Sequence, residues 1–168
     1  MQDVAVALAP YRRIAWLSPP ATLESGDVLH IGRNLYVGRP SRTNDAGIEQ
    51  LRELVQPHGY SVQAVDIRGC LHLKTACCYL GRNTILANSR FVERFSDCRL
   101  IEAPPEDDLD ANVLLIGGTL VLPSHRAATG KLLERHGFKV LRVDLSEFQK
   151  AEAGPTCLSI LFDLATQE

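Results

Sequence analysis

Long apolar runs are the first thing this chain lacks: its hydrophobic stretches are short and broken by charges, so no segment reads as a bilayer span. A surplus of one charge is missing too. Eighteen basic and twenty acidic residues leave a net charge of −2, which removes the electrostatic grounds for nucleic acid or an anionic membrane as a partner. The opening residues, MQDVAVALAPYRR, lack a positive n-region and a cleavage site and do not read as a secretion signal. No Cys-x-x-Cys pair occurs among Cys70, Cys77, Cys78, Cys98 and Cys157, and their odd number suits a reduced, cytoplasmic protein better than a disulfide framework. What remains is 168 residues, enough for one soluble α/β domain with a real core.

Within it, one rhythm recurs. Residues 28–38 (VLHIGRNLYVG) are two β-type runs around Gly-Arg-Asn, and 77–87 (CCYLGRNTILA) repeat them with the same turn. Residues 112–122 (NVLLIGGTLVL) form a third copy turning on Gly-Gly. Each reads as a hairpin whose glycine takes positive φ. After the first, 44–57 put Ile48, Leu51, Leu54 and Val55 on one helical face, with Asn44 as N-cap, and His58-Gly-Tyr opens a strand. After the third, a helix over 126–135 leads into His136-Gly-Phe and another strand. The middle copy predicts a helix near 90–95 and a strand near 99–103. The unit is ββαβ, and repetition implies an array around an axis rather than one layered sheet. The chain opens in mid-module, with a helix over 2–9 and a strand over 12–17. The predicted division is a truncated module to residue 18, modules at 22–67, 71–104 and 111–144, and a terminal strand at 157–162.

The junctions between modules hold the reactive residues. Glu24 stands before the first hairpin, His72 before the second and Cys157 before the terminal strand, so in a closed array the three converge. Thiol, imidazole and carboxylate together supply a nucleophile, a proton carrier and a cation clamp. Taken singly each has a plainer reading: buried filler for the cysteine, a loop histidine, a turn cap, a solvated Arg42. Asp27 is expected to bond its own turn through Asx-type contacts. Cys70, Cys77, Cys78 and Cys98 are expected to be packing residues.

The stretches TLESGDVLHIGRNLYVGRPSRTN, LHLKT and AGPTCLSILF resemble the dimethylarginine dimethylaminohydrolases, of the guanidino-modifying superfamily. That resemblance, running from about Tyr11, implies a pentein fold, an α/β propeller of five ββαβ modules about a pseudo-fivefold axis, here incomplete. It implies that Cys157 attacks the guanidinium carbon, expelling dimethylamine and leaving a covalent thiouronium. His72 would protonate the amine and then deprotonate the water that releases citrulline. Glu24 would accept hydrogen bonds from the planar guanidinium, and Arg42 would grip the substrate's α-carboxylate. The cationic substrate would itself favour the thiolate. Lys74 resembles this family rather than the arginine deiminases, which carry an aspartate there. Neither metal nor organic cofactor is implied; the implied partner is a small guanidine.

The sequence departs from the pattern at its start. The family's N-terminal part supplies a Phe-x-Arg-Asp-type motif, whose aspartate binds the guanidinium, and a further arginine; neither has a counterpart here. It also covers the terminal strand, whose edge would otherwise be bare. A fragment or misplaced start is the first reading of this gap. The others are a complementing segment or a second copy of the chain, and an inactive relic. Weak or absent hydrolase activity is expected of these 168 residues alone. Arginine deiminase, amidinotransferase and a non-catalytic binding or assembly module are the rival functions.

Overall fold

In the computed structural model, which describes residues 2–107 and 111–162, three hairpins set the architecture. A first helix, α1 (Gln2–Leu8), precedes them. The first hairpin joins β1 (Val28–Ile31) to β2 (Asn34–Gly38), with Gly32 at φ +61° in the turn. Helix α2 (Asp45–Val55) then carries the chain back, so that β3 (Ser61–Val65) lies parallel to β2 in the order β1-β2-β3. A parallel neighbour requires such a crossover, since a tight turn can only reverse the chain.

The same order recurs twice. A single turn, α3 (Leu73–Ala76), leads into β4 (Cys77–Gly81), which pairs with β5 (Thr84–Ala87), and β6 (Arg99–Glu102) joins in parallel. Finally β7 (Leu114–Ile116) and β8 (Thr119–Pro123) form the third hairpin, α4 (Ala127–Arg135) crosses, and β9 (Lys139–Val143) completes the sheet before the short α5 (Ser146–Gln149). The sheets fall within residues 22–67, 71–104 and 111–144, one to each segment.

The β4–β5 hairpin of the middle sheet is buried on both faces, and strand alternation explains how it joins its neighbours. Cys77, Ile85 and Ala87 face a core shared with Leu29, Ile31, Tyr36 and Val65 of the first sheet. Cys78, Leu80 and Leu86 point the other way, into a core with Leu120, Leu122 and Leu133 of the third module. Cys77, Cys78 and Cys98 are buried filler as expected, and the half-buried Cys70 packs against the first core. Ile48 of α2 closes a smaller core with Val37 and Val62, and Asn44 caps that helix by accepting from the Gly47 N–H at 2.8 Å.

Three local expectations fail. No helix forms near 90–95: the Asn88 carboxamide accepts from the Arg90 N–H at 3.0 Å and its carbonyl from the Phe91 N–H, a local turn that displaces helix. Val92 then bridges Ile67, and the Phe95 ring lies 4.9 Å from that of Tyr36. Residues 12–17 and 158–162 are not strands. A strand exists only with a partner, and neither segment has one among the described residues. Side chains bring them together: the Arg12 guanidinium lies 5.0 Å from the centre of the Phe162 ring, and the ring of Tyr11, just before the first segment, lies 5.7 Å from it. No described helix is long and apolar enough to cross a membrane.

Candidate active site

Glu24 and His72 hold the same place in successive modules. Each has extended backbone and immediately precedes one helical turn, Ser25–Asp27 or α3, that feeds the first strand of a hairpin. Packing the first sheet on the second brings the two together across 48 positions of sequence. Glu24 Oε2 lies 3.3 Å from His72 Nε2. The Glu24 amide is fixed by donating to Thr43 Oγ1 at 3.1 Å, so the segment after β2 holds the carboxylate's backbone in place.

Asp27 corrects the sequence reading. It makes no Asx-type contact with its own turn; it is wholly buried and reaches across to the neighbouring elements. Its Oδ2 accepts from the Thr43 hydroxyl at 2.6 Å, and its Oδ1 lies 3.2 Å from both the Leu73 N–H and His72 Nδ1. The imidazole is thus bracketed by two carboxylates, one buried and one facing outward. A bare backbone lets the ring lie where it does: a Cβ at Gly26 would stand 2.8 Å from His72 Cγ. The only advance sign of this role was position, three residues past Glu24 at the mouth of an apolar strand.

Arg42 joins the cluster from the segment between β2 and α2. Its Nη1 is 3.6 Å from Glu24 Oε1, with both side chains well exposed, an ion pair worth about 1 kcal/mol or less. The guanidinium therefore meets the carboxylate rather than standing apart from it.

Cys157 lies in a turn, not at a strand entry, and is exposed. The turn is nonetheless anchored: the Cys157 amide donates to the Gly154 carbonyl at 3.0 Å, Pro155 is buried, and the Thr156 N–H donates to Asn112 Oδ1 at 3.3 Å. Gly154 lies so close to Asn112 that a Cβ there would stand 2.6 Å from its amide nitrogen. Asn112, which opens the third hairpin, was not singled out from sequence. Cys157 and Asp27 both act electrostatically on Lys74, two residues past His72. Burial pulls the Lys74 ammonium below its ordinary pKa, and the electrostatic influence of Cys157 and Asp27 opposes that fall. Burial pushes the Cys77 thiol well up, with Cys78 and Cys70 adding to the rise, so Cys77 is no nucleophile.

The assembled groups form an open cluster. Grooves beside Phe95, lined by residues such as Tyr36, Asp66 and Arg94, include none of them. Among the described residues no three histidine, cysteine or acidic side chains are grouped to hold a metal. Chemically, Glu24, Arg42, His72 and Asp27 can hold a planar cation against a carboxylate and move a proton at the imidazole.

Structures of the same fold define the class. Inosamine-phosphate amidinotransferase of Streptomyces griseus superposes with a TM-score of 0.66 over 76% of this chain and 42% of its own, at 20% identity, which places the chain among the pentein folds. No protein-family model matches the chain. Whole-chain relatives narrow the class. The chain is 34% identical over 152 residues to N(G),N(G)-dimethylarginine dimethylaminohydrolase of Pseudomonas aeruginosa, covering 89% of this chain and 60% of that one. It is 39% identical over 149 residues to the enzyme of the same name from Streptomyces coelicolor, covering 88% and 57%. A solved structure of the Pseudomonas aeruginosa enzyme, a cysteine-to-serine mutant complexed with citrulline, superposes with a TM-score of 0.85 over 93% of this chain and 63% of its own, at 30% identity. The chain is thus similar, over nearly all of its own length, to enzymes named dimethylarginine dimethylaminohydrolase, and it spans about three-fifths of the length of these relatives.

Proposed function

We propose that this chain carries the thiol, imidazole and carboxylate of a hydrolase that converts N-ω-methylated arginine and water to citrulline and a methylamine. The observation that carries the proposal is the approach of Glu24 Oε2 to His72 Nε2 at 3.3 Å, which puts a cation-binding carboxylate and a proton carrier on one small volume. The Cys157 thiolate attacks the guanidinium carbon; a C–S bond forms as the C–N bond to the dimethylamino group breaks, and protonated His72 gives its proton to the departing amine. Water then adds to the thiouronium carbon, its proton passes to His72, and the C–S bond breaks to release citrulline and thiolate. Glu24 holds the guanidinium through paired N–H···O bonds. Arg42 turns from Glu24 to the α-carboxylate when the substrate's own guanidinium replaces it. Citrulline bound to the Pseudomonas aeruginosa relative supports this substrate class. Five cysteines, none of them in a disulfide, fit a reducing cytoplasm as the place of work.

The exposed Leu158, Ile160, Leu161 and Phe162, beside exposed Tyr11 and Trp16, favour a second element of the reading. These apolar side chains, on segments with no strand partner among the described residues, form a surface suited to further ββαβ structure such as the roughly two-fifths of the relatives that this chain does not span. That structure would supply the second guanidinium carboxylate, and weak turnover is expected of the 168 residues without it.

An alkylating amidine tests the site without requiring full turnover. Peptide mapping by mass spectrometry should find the label on Cys157 ahead of the other four cysteines. Protection by dimethylarginine and slower labelling in Glu24→Gln should accompany it. Even labelling of all exposed thiols, or no change in Glu24→Gln, would defeat the proposal.

A further inference from the structure

Two carboxylates flank one imidazole, and their surroundings differ. Asp27 is fully buried and already accepts from the Thr43 hydroxyl and the Leu73 N–H. Glu24 keeps over a third of its side chain exposed and can turn to water or to Arg42. A neutral imidazole has one N–H. Directed at Glu24, it would leave the Nδ1 lone pair facing the Asp27 carboxylate at 3.2 Å, away from water, where repulsion is least screened. Directed at Asp27, it leaves the Nε2 lone pair toward a carboxylate that can move aside.

We infer that Asp27 is a positioning residue: it fixes the neutral His72 ring as the Nδ1–H tautomer and keeps the Nε2 lone pair directed at the reacting groups. The partner of one ring nitrogen sets the chemistry of the other. A separate buried acid therefore does the orienting, and Glu24 is left free to hold a cation. The placement of the lone pair stands on geometry alone; only its use in proton transfer rests on the proposed function.

The test is the tautomer of His72 in the ¹⁵N-labelled chain, read from two-bond ¹H–¹⁵N correlations above the imidazole titration, with His72→Gln for assignment. The expected pattern is a protonated Nδ1 and an unprotonated Nε2. In Asp27→Asn, the Glu24 charge should take over and shift the population to Nε2–H; in Glu24→Gln, the Nδ1–H form should persist. Loss of a helix-capping contact would lower stability in Asp27→Asn but would not exchange the ring proton. A wild-type ring protonated on Nε2, or an Asp27→Asn ring still protonated on Nδ1, overturns the inference. The wild-type and Glu24→Gln spectra decide the matter even should Asp27→Asn fail to fold. Where turnover is measurable, Asp27→Asn should lower kcat about 10²-fold with KM little changed. The expected tautomer with no selective labelling of Cys157 would uphold the positioning role and remove the hydrolase reading.

Discussion

Gly26→Ala measures how tightly His72 is held. The added Cβ would lie 2.8 Å from Cγ, 3.0 Å from Nδ1 and 3.1 Å from Cδ2 of the ring, and these are its three nearest neighbours. Carbon atoms rest at roughly 3.5–4.0 Å, so the ring must retreat by about 0.7 Å. It has no slack for that. Its contacts to Asp27 and Glu24, at 3.2 and 3.3 Å, already stand at the long end of hydrogen bonding, and a ring displaced so far cannot keep both. Losing a bond to a charged partner costs about 1.5–3 kcal/mol. Replacing glycine by alanine where the backbone tolerates it returns about 0.4–1 kcal/mol through the unfolded state. The net loss is about 1–2 kcal/mol, a fall in Tm of roughly 2–8 °C for a chain of this size.

The assay is thermal and urea unfolding of four proteins: wild type, Gly26→Ala, His72→Ala and the double variant. With the ring gone, Gly26→Ala should be neutral or stabilising, giving a coupling of at least about 1 kcal/mol between the two positions. An equal loss with and without the ring would mean that the backbone at 26, and not the imidazole, rejects a side chain. The account of the site's geometry would then be wrong.

Asn44→Ala removes an oxygen that accepts from both Gly47 and Thr22 N–H groups and an amide that donates to the Pro20 carbonyl, so a loss of about 2 kcal/mol is expected by denaturant unfolding, the upper end for a helix cap. Lys74→Met should change the pH dependence of stability. The folded-state pKa of Lys74 lies below the ordinary lysine value, so below that folded pKa the ammonium destabilises the fold, and the penalty disappears as pH rises toward 10.5, where the unfolded chain also loses the proton. The stability advantage of Lys74→Met over wild type should therefore be greatest near pH 7 and narrow toward pH 10 in denaturant titrations; a difference independent of pH would show that Lys74 carries no such penalty.

Hairpins, crossover helices and the Asn44 cap were legible in the sequence because each depends on near neighbours: period-two runs, a turn with glycine, a capping side chain three residues from its donor. Positions 12–17 and 158–162 have strand composition but no strand partner among the described residues, and composition cannot supply one. The 90–95 segment was misread because Asn88 offers its own backbone a competing turn. Glu24 and His72 were found through the register of the repeat, a long-range signal. Asp27 was not, since an aspartate beside a glycine ordinarily closes its own turn, whereas its actual partners lie at Thr43 and Leu73, 16 and 46 residues on.

The junctions of the first two modules depart from what packing alone would select. They bury the Asp27 carboxylate, half-bury the Lys74 ammonium and leave Gly26 bare beneath an imidazole. Each choice costs stability: a buried charge must be paired, a buried ammonium is desolvated, and a glycine loses more backbone freedom on folding than any other residue. Such local departures from the foldable pattern mark places where chemistry, and not packing, selects the residue. Asp27 and Gly26 both close directly on His72, which makes the imidazole, more than the exposed cysteine, the point around which this site is organised.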